Sequence, residues 1–208
     1  MIVACVCWGD KYSDNYVKRL KVSVQRKLKM PHRFVCLSDR EIAGVECIPL
    51  FAQTWTTWWQ KITLFSPDVF PAGSRIFYLD LDVVVVGEID SLVQTALKKP
   101  LTMIYNFGPN RAHCAHNSSV MMWTAGDPRV AAIFNLFTDD VMTKLHGDQC
   151  WIWRVLRDDI ANWQIDTVKS YKYDCRKTQL PANCRIVVFH GDPKPHQAPE
   201  PWAHEHWG

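Results

Sequence analysis

The segment Arg75 to Val86, RIFYLDLDVVVV, sets the apolar runs Ile76–Leu79 and Val83–Val86 on either side of two aspartates, Asp80 and Asp82. An apolar run this short reads as a strand buried inside a sheet. Residues two apart in an extended segment project to the same side, so both carboxylates share one face among apolar neighbours. Like charges in such surroundings repel each other and lose hydration, and they ask for a cation or a shared proton. Hard oxygen ligands of this kind suit Mg2+ or Mn2+, ions that complete their shells with water and substrate phosphates. Two solvated aspartates at a strand end are the plainer alternative; the flanking apolar runs favour the metal.

Strand and helix signals alternate around this segment. Ile2 to Cys7 reads as a buried strand, and Asp14 to Lys29 as a helix, with Val17, Leu20, Val24 and Leu28 at helical spacing and Ser13 or Asp14 as its cap. Strand-like Arg33 to Leu37 and Val45 to Leu50 precede a helix from Thr54 to Ser66, where Trp55, Trp58 and Trp59 read as a core-facing stripe rather than a sugar platform. Arg75 to Leu79 and Val83 to Val86 follow as strands. Then come an apolar segment Leu101 to Tyr105, a polar loop Asn106 to Asn117 and a strand Ser119 to Trp123. One helix opens at Asp127-Pro128, with a cap and a proline at its first position, and another near Asp148. Trp163 to Val168 and a last strand, Arg185 to Phe189, complete the series.

The alternation predicts an α/β fold of one domain, with a mixed, mostly parallel central sheet flanked by helices and the D-x-D at the end of a central strand. Residues 1–191 form that domain, residues 192–208 are a Pro- and His-rich C-terminal tail, and its AHEHWG ending reads as a flexible tail rather than a metal site.

Composition removes several classes of function. A chain of 208 residues buries roughly 70% of its unfolded surface, enough to fold without disulfides or a structural metal. The net charge is +3, and the basic residues are scattered apart from Lys18 to Lys29 and the pair Lys98, Lys99, which gives no strong nucleic-acid signature. The 8 cysteines contain no C-x-x-C pair, and several sit in apolar stretches such as VACVC, so they read as buried free thiols. His113, His116, His204 and His206 have no ligand spacing. No apolar run approaches the ~20 residues of a membrane span, and Met1 to Asp10 lacks the features of a signal peptide, so a cytoplasmic protein is expected.

A second motif, FHGDPKPH from Phe189 to His196, follows the last strand. A histidine, a glycine that allows close backbone approach, and a lysine between two prolines make a rigid turn suited to phosphate. His190 can ligate a borderline metal such as Mn2+ through neutral imidazole, and Lys194 can neutralise a departing diphosphate. An ordinary exposed turn is the alternative.

Together these segments resemble the GT-A glycosyltransferases, in particular glycosyltransferase family 8, the glycogenin-like and bacterial galactosyltransferase-like enzymes and their short bacterial and phage relatives. YLDLDVVVVGEIDSL resembles the family's metal-binding D-x-D and its continuation, and NSSVMMW its N-S-G-V-M-L strand. HGDQCWI resembles its G-D-Q helix start and HGDPKP its closing G-x-x-K-P, so four motifs occur in family order.

The resemblance implies a Rossmann-like GT-A domain that uses Mn2+ or Mg2+ to move a hexose from a nucleoside diphosphate sugar, UDP-linked, with retention of configuration. It implies that Asp80, Asp82 and His190 hold the metal and that Lys194, at the Gly191 turn, touches the diphosphate. The register differs at one point: the family places its histidine three residues before the glycine, where this chain has Val188. Lys61 corresponds to a basic residue near the donor sugar and phosphates, with a solvated helix face as its alternative. Asp148 and Gln149 correspond to the groups beneath the anomeric carbon, and Asp148 alternatively caps a helix. Asn117 falls in the donor-binding strand, and Trp8, Gly9 and Tyr16 are candidates for the nucleobase, with core packing equally open to the aromatics.

Two further readings stand beside this one. A sugar nucleotidyltransferase also uses carboxylate-bound metal, but CVCWGDKYSDN lacks its Gly-rich basic loop. A binding module would hold a nucleotide sugar or glycan without turning it over. The acceptor is open among a glycan, a lipid-linked sugar, a protein and a modified base.

Overall fold

The computed structural model describes residues 1–51, 54–95, 97–108 and 114–207. His113 and part of the polar loop, 109–113, lie outside the described residues, as does Gly208. The strands are β1 Ile2–Cys7, β2 Arg33–Ser38, β3 Glu46–Pro49, β4 Arg75–Leu79, β5 Val83–Val85, β6 Leu101–Tyr105, β7 His116–Thr124, β8 Ile160–Asn162, β9 Val168–Ser170 and β10 Ile186–Val188. The α-helices are α1 Asp14–Lys27, α2 Asp90–Gln94, α3 Pro128–Asn135, α4 Asp139–Lys144, α5 Asp148–Leu156 and α6 Pro201–Trp207.

Seven strands form the main sheet in the order β3-β2-β1-β4-β7-β6-β8, with β4 at its centre. β7 runs antiparallel to β4 and β6, and the other pairings are parallel. Apolar side chains leave both faces of the central strands. Phe77 and Leu79 of β4 pack with Val17, Leu20 and Val24 of α1, while Ile76 and Tyr78 pack on the opposite face with Ile62, Ile133 and Ile152. Burial on both sides is why these strands read as unbroken apolar runs rather than alternating ones.

Three features depart from the expectation. The valine run after the D-x-D leaves the main sheet: β5 pairs antiparallel with β10, which pairs parallel with β9, in a separate small sheet. The helix expected over Thr54 to Ser66 is a 3-10 helix over Thr57–Phe65. At three residues per turn it aligns Trp59, Ile62 and Phe65, all buried, and turns Trp58, 46% exposed, away from them. The expected tryptophan stripe is therefore split.

The third departure is the tail, which is packed. α6 buries Ala203 completely, the Trp207 ring meets Tyr16 at 5.0 Å, and Glu200 accepts from the Tyr171 hydroxyl at 2.8 Å. The apolar side chains of the tail find a partner surface on α1 and the small sheet, which the local composition does not reveal. The cysteines are free, and all but Cys47 are buried. Among the described residues no helix is long and apolar enough to cross a membrane.

Candidate functional site

Asp80 and Asp82 sit where the chain crosses from the main sheet to the small one. The Asp80 amide donates to Ser119 O at 2.9 Å, extending the β4–β7 ladder, and Asp82 O accepts from the Phe189 amide at 3.0 Å. Each aspartate is thus tied to a different sheet. A cavity of about 490 Å3 opens at this crossing. Its wall includes Trp8, Lys61, Asp80, Asp82, Asn117, Asp148, Gln149, His190, Gly191 and Lys194, so motifs far apart in the chain converge on it.

The inner end is built around Lys61. Its ammonium lies 2.8 Å from Asp80 Oδ1 and 3.6 Å from Asp148 Oδ2, and donates to Ser118 Oγ at 3.2 Å. Burial by itself would favour a neutral lysine, but the Asp148 and Asp80 carboxylates outweigh it and hold the ammonium above its ordinary range. Burial opposes the charge of Asp80 as well; Lys61, together with hydrogen bonds that include the 2.6 Å one from the Tyr78 hydroxyl, keeps its carboxyl below the usual value. Asp148 goes the other way. Its burial prevails over Lys61 and over hydrogen bonds from Ser118 and Gln149 and pushes the carboxyl up, and among the described residues its Oδ2 has no hydrogen-bond partner. Asp148 is the first residue of α5 rather than its cap, which is Gly147.

The outer end centres on Asp82. Oδ2 accepts from Lys194 Nζ at 2.6 Å and from the Tyr12 hydroxyl at 2.8 Å. Lys194 and Lys11 both lie 5.4 Å from the centre of the Tyr12 ring. His190 shares a 2.7 Å hydrogen bond between Nε2 and Ser170 Oγ, and its ring stacks on Phe107 at 5.6 Å. Burial, followed by the charge of Lys172, lowers its pKa and favours the neutral imidazole.

Two nucleobase candidates do not reach the cavity. Tyr16 is buried under α6 and shares a 2.6 Å hydrogen bond with His196 Nδ1. Gly9 takes a left-handed φ of 59°, and its amide donates to Asp39 Oδ2 at 2.8 Å. Both are scaffold for the loop that presents Trp8 and Tyr12. Sequence reasoning missed Tyr12, Trp58 and Lys172. Tyr12 stands four residues before Tyr16, and only the turn after β1 decides which ring faces the cavity. The Lys172 ammonium approaches Gly191 so closely that a β-carbon there would lie 2.7 Å from it. No motif around Lys172 announces this.

Among the described residues no group of three or more His, Cys, Asp or Glu side chains is arranged to hold a metal ion. The donor chemistry still fits one kind of ion. Two carboxylates and a neutral imidazole along one cavity wall suit a hard or borderline cation that takes most of its shell from water and phosphate oxygens, not a closed structural site. Three carboxylates, Asp80, Asp82 and Asp148, and three ammonium groups, Lys11, Lys61 and Lys194, line the cavity, so its formal charge balances and the negative charge that such a cation answers would come with a ligand's phosphates.

The sheet order, the D-x-D at the end of the central strand and the cavity at the sheet crossing define the GT-A fold. Solved structures of glycosyltransferases share it. An active-site mutant of LgtC superposes with a TM-score of 0.74 at 14% identity, over 99% of this chain and 93% of that one. The galactosyltransferase LgtC in complex with donor and acceptor sugar analogs gives 0.68 at 15%, over 94% and 89%. GlyE of Streptococcus pneumoniae TIGR4 gives 0.69 at 16%, over 93% of this chain and 56% of that chain. Neither a protein-family model nor a curated protein sequence matches the chain.

Proposed function

We propose that the protein is a metal-dependent glycosyltransferase that moves a hexose from a UDP-sugar to an acceptor hydroxyl with retention of anomeric configuration. One arrangement carries this reading: within a GT-A fold, Asp80, Asp82 and Asp148 pair with Lys61 and Lys194 in a single cavity. Mn2+ or Mg2+ held by Asp80 and Asp82, with His190 beside them, would supply Lewis-acid stabilisation to the departing diphosphate. Lys194 exchanges its bond to Asp82 for a phosphate oxygen, where negative charge grows as the glycosidic bond breaks. Lys61 holds Asp80 and Asp148 in place. Asp148 presents its buried carboxylate to the anomeric carbon as that carbon becomes cationic, and the Gln149 amide next to it orients the sugar hydroxyls.

The test is UDP release from UDP-glucose, UDP-galactose and UDP-N-acetylglucosamine, with and without Mn2+. Turnover that needs Mn2+ and disappears in Asp82→Ala is expected. No turnover with any donor, together with unchanged UDP affinity in Asp80→Ala and Asp82→Ala, overturns the proposal. Mn2+-dependent binding without turnover supports the binding module instead.

A further inference from the structure

Trp58 belongs to the cavity wall and has no part in the donor site proposed above. In a 3-10 helix, residues three apart eclipse, so Trp58 stands directly above Lys61 on the face turned to the cavity, with about 6 Å of rise between them. Lys61 reaches down to Asp80 and Asp148, and Trp58 remains at the rim above them. The residue before it, Thr57, has a left-handed φ of 57°, a conformation that costs a non-glycine residue energy and that a tertiary constraint must hold. Gly147 lies against the indole: a β-carbon built there would sit 3.4 Å from Trp58 Nε1. The ring therefore packs against the start of α5, next to Asp148 and Gln149, at a distance that a β-carbon at 147 would meet as ordinary contact.

Charge separates the two ends of the cavity. Lys11 and Lys194 cluster at Tyr12 on the outer end, whereas among the described residues the wall around Trp58 carries His146 and Gln149 and no lysine or arginine other than Lys61, which Asp80 and Asp148 already engage. A phosphate-bearing ligand finds its counter-charge beside Tyr12. A neutral ligand with an apolar face and hydroxyl edges suits the tryptophan.

We propose that Trp58 is the platform on which the acceptor binds, and that the acceptor is a pyranoside whose C–H face stacks on the indole while one hydroxyl points toward the anomeric carbon above Asp148. The inference rests on the nucleotide-sugar reading and deepens it by choosing a saccharide over a protein side chain or a base.

Saturation-transfer NMR tests it, with UDP and Mn2+ present and the methyl glycosides of glucose, galactose, mannose and N-acetylglucosamine, together with lactose and uridine, as probes. At least one glycoside is expected to give saturation of its ring C–H protons in the wild type. Its affinity should fall about tenfold in Trp58→Ala and recover to within about threefold in Trp58→Phe, while UDP signals stay the same in all three. UDP binding with no glycoside signal, or a glycoside signal indifferent to Trp58→Ala, overturns the platform alone. Uridine competing at Trp58 reassigns the ring to a base and overturns it too. Loss of UDP binding in the wild type brings down the nucleotide-sugar reading and the platform with it.

Discussion

The two lysine–aspartate pairs of the cavity look alike and differ in what each lysine answers for. Lys61 comes from a helix packed into the core and serves two carboxylates, Asp80 and Asp148, of which the second is poorly satisfied. Lys194 comes from a turn beyond the last strand and serves one carboxylate, Asp82, which also keeps a hydrogen bond from Tyr12. The inner lysine cannot leave without stranding two buried charges. On the function proposed above, the outer one moves to a phosphate while Tyr12 stays on Asp82 and a cation would take its place. On that proposal the same pairing is structural at one end and exchangeable at the other.

The largest expected effect separates these roles by stability. Lys61→Met should lower the unfolding free energy by about 3–5 kcal/mol, because it leaves buried carboxylates without their partner. Lys194→Met should cost less than half as much in the same denaturant titration, and equal losses would break the contrast. The pH dependence has a definite sign. Asp80 is depressed in the folded state, so its share of the stabilisation is present above the ordinary carboxylate pKa and is lost as the pH falls through its folded value. Lys61 is raised, so its share persists below the ordinary lysine pKa. The gap between wild type and Lys61→Met should narrow as the pH falls and the stranded carboxylates take up protons.

Asp148→Asn comes next. The ionised carboxylate acts on the cation-like transition state more than on the neutral bound sugar, so kcat should fall about 100-fold with little change in donor KM. Its raised pKa means that ionisation opposes folding, so the variant should be no less stable than the wild type at neutral pH. Near wild-type kcat would remove Asp148 from the chemical step and pass the role to Gln149. Lys194→Ala follows, with UDP affinity in the presence of Mn2+ about tenfold weaker by calorimetry and folding nearly intact. An unchanged affinity would make Lys194 as structural as Lys61. The smallest effect belongs to His190→Ala, which should weaken Mn2+ affinity by only about two- to fivefold, since its ring is already committed to Ser170 and Phe107. No change at all would assign His190 to packing.

Much of this molecule is legible in local pattern. The unbroken apolar runs of β1, β4 and β7 require burial on both faces, which dictates a layered α/β sheet, and the helical spacing of Val17, Leu20 and Val24 places α1 on one face of it. Asp80 and Asp82 stand out because charge inside an apolar run demands a reason, and Lys194 because prolines hold it. Trp8 is marked by its place directly after the first strand.

Other features exist only in three dimensions. Whether Tyr12 or Tyr16 faces the cavity depends on the turn after β1, and the aromatic pattern permits both. That Trp58 leaves the stripe of Trp55 and Trp59 depends on a 3-10 rather than an α-helical turn, a difference in period that tertiary packing decides. The packed tail and the approach of Lys172 to Gly191 join segments whose composition carries no sign of each other. The sequence by itself determined which residues must be buried and which charges need partners, because hydrophobic periodicity and desolvation act locally. Only the tertiary structure decided which partner each charge receives, because an ion pair such as Lys61 with Asp148 depends on distances that no spacing along the chain encodes.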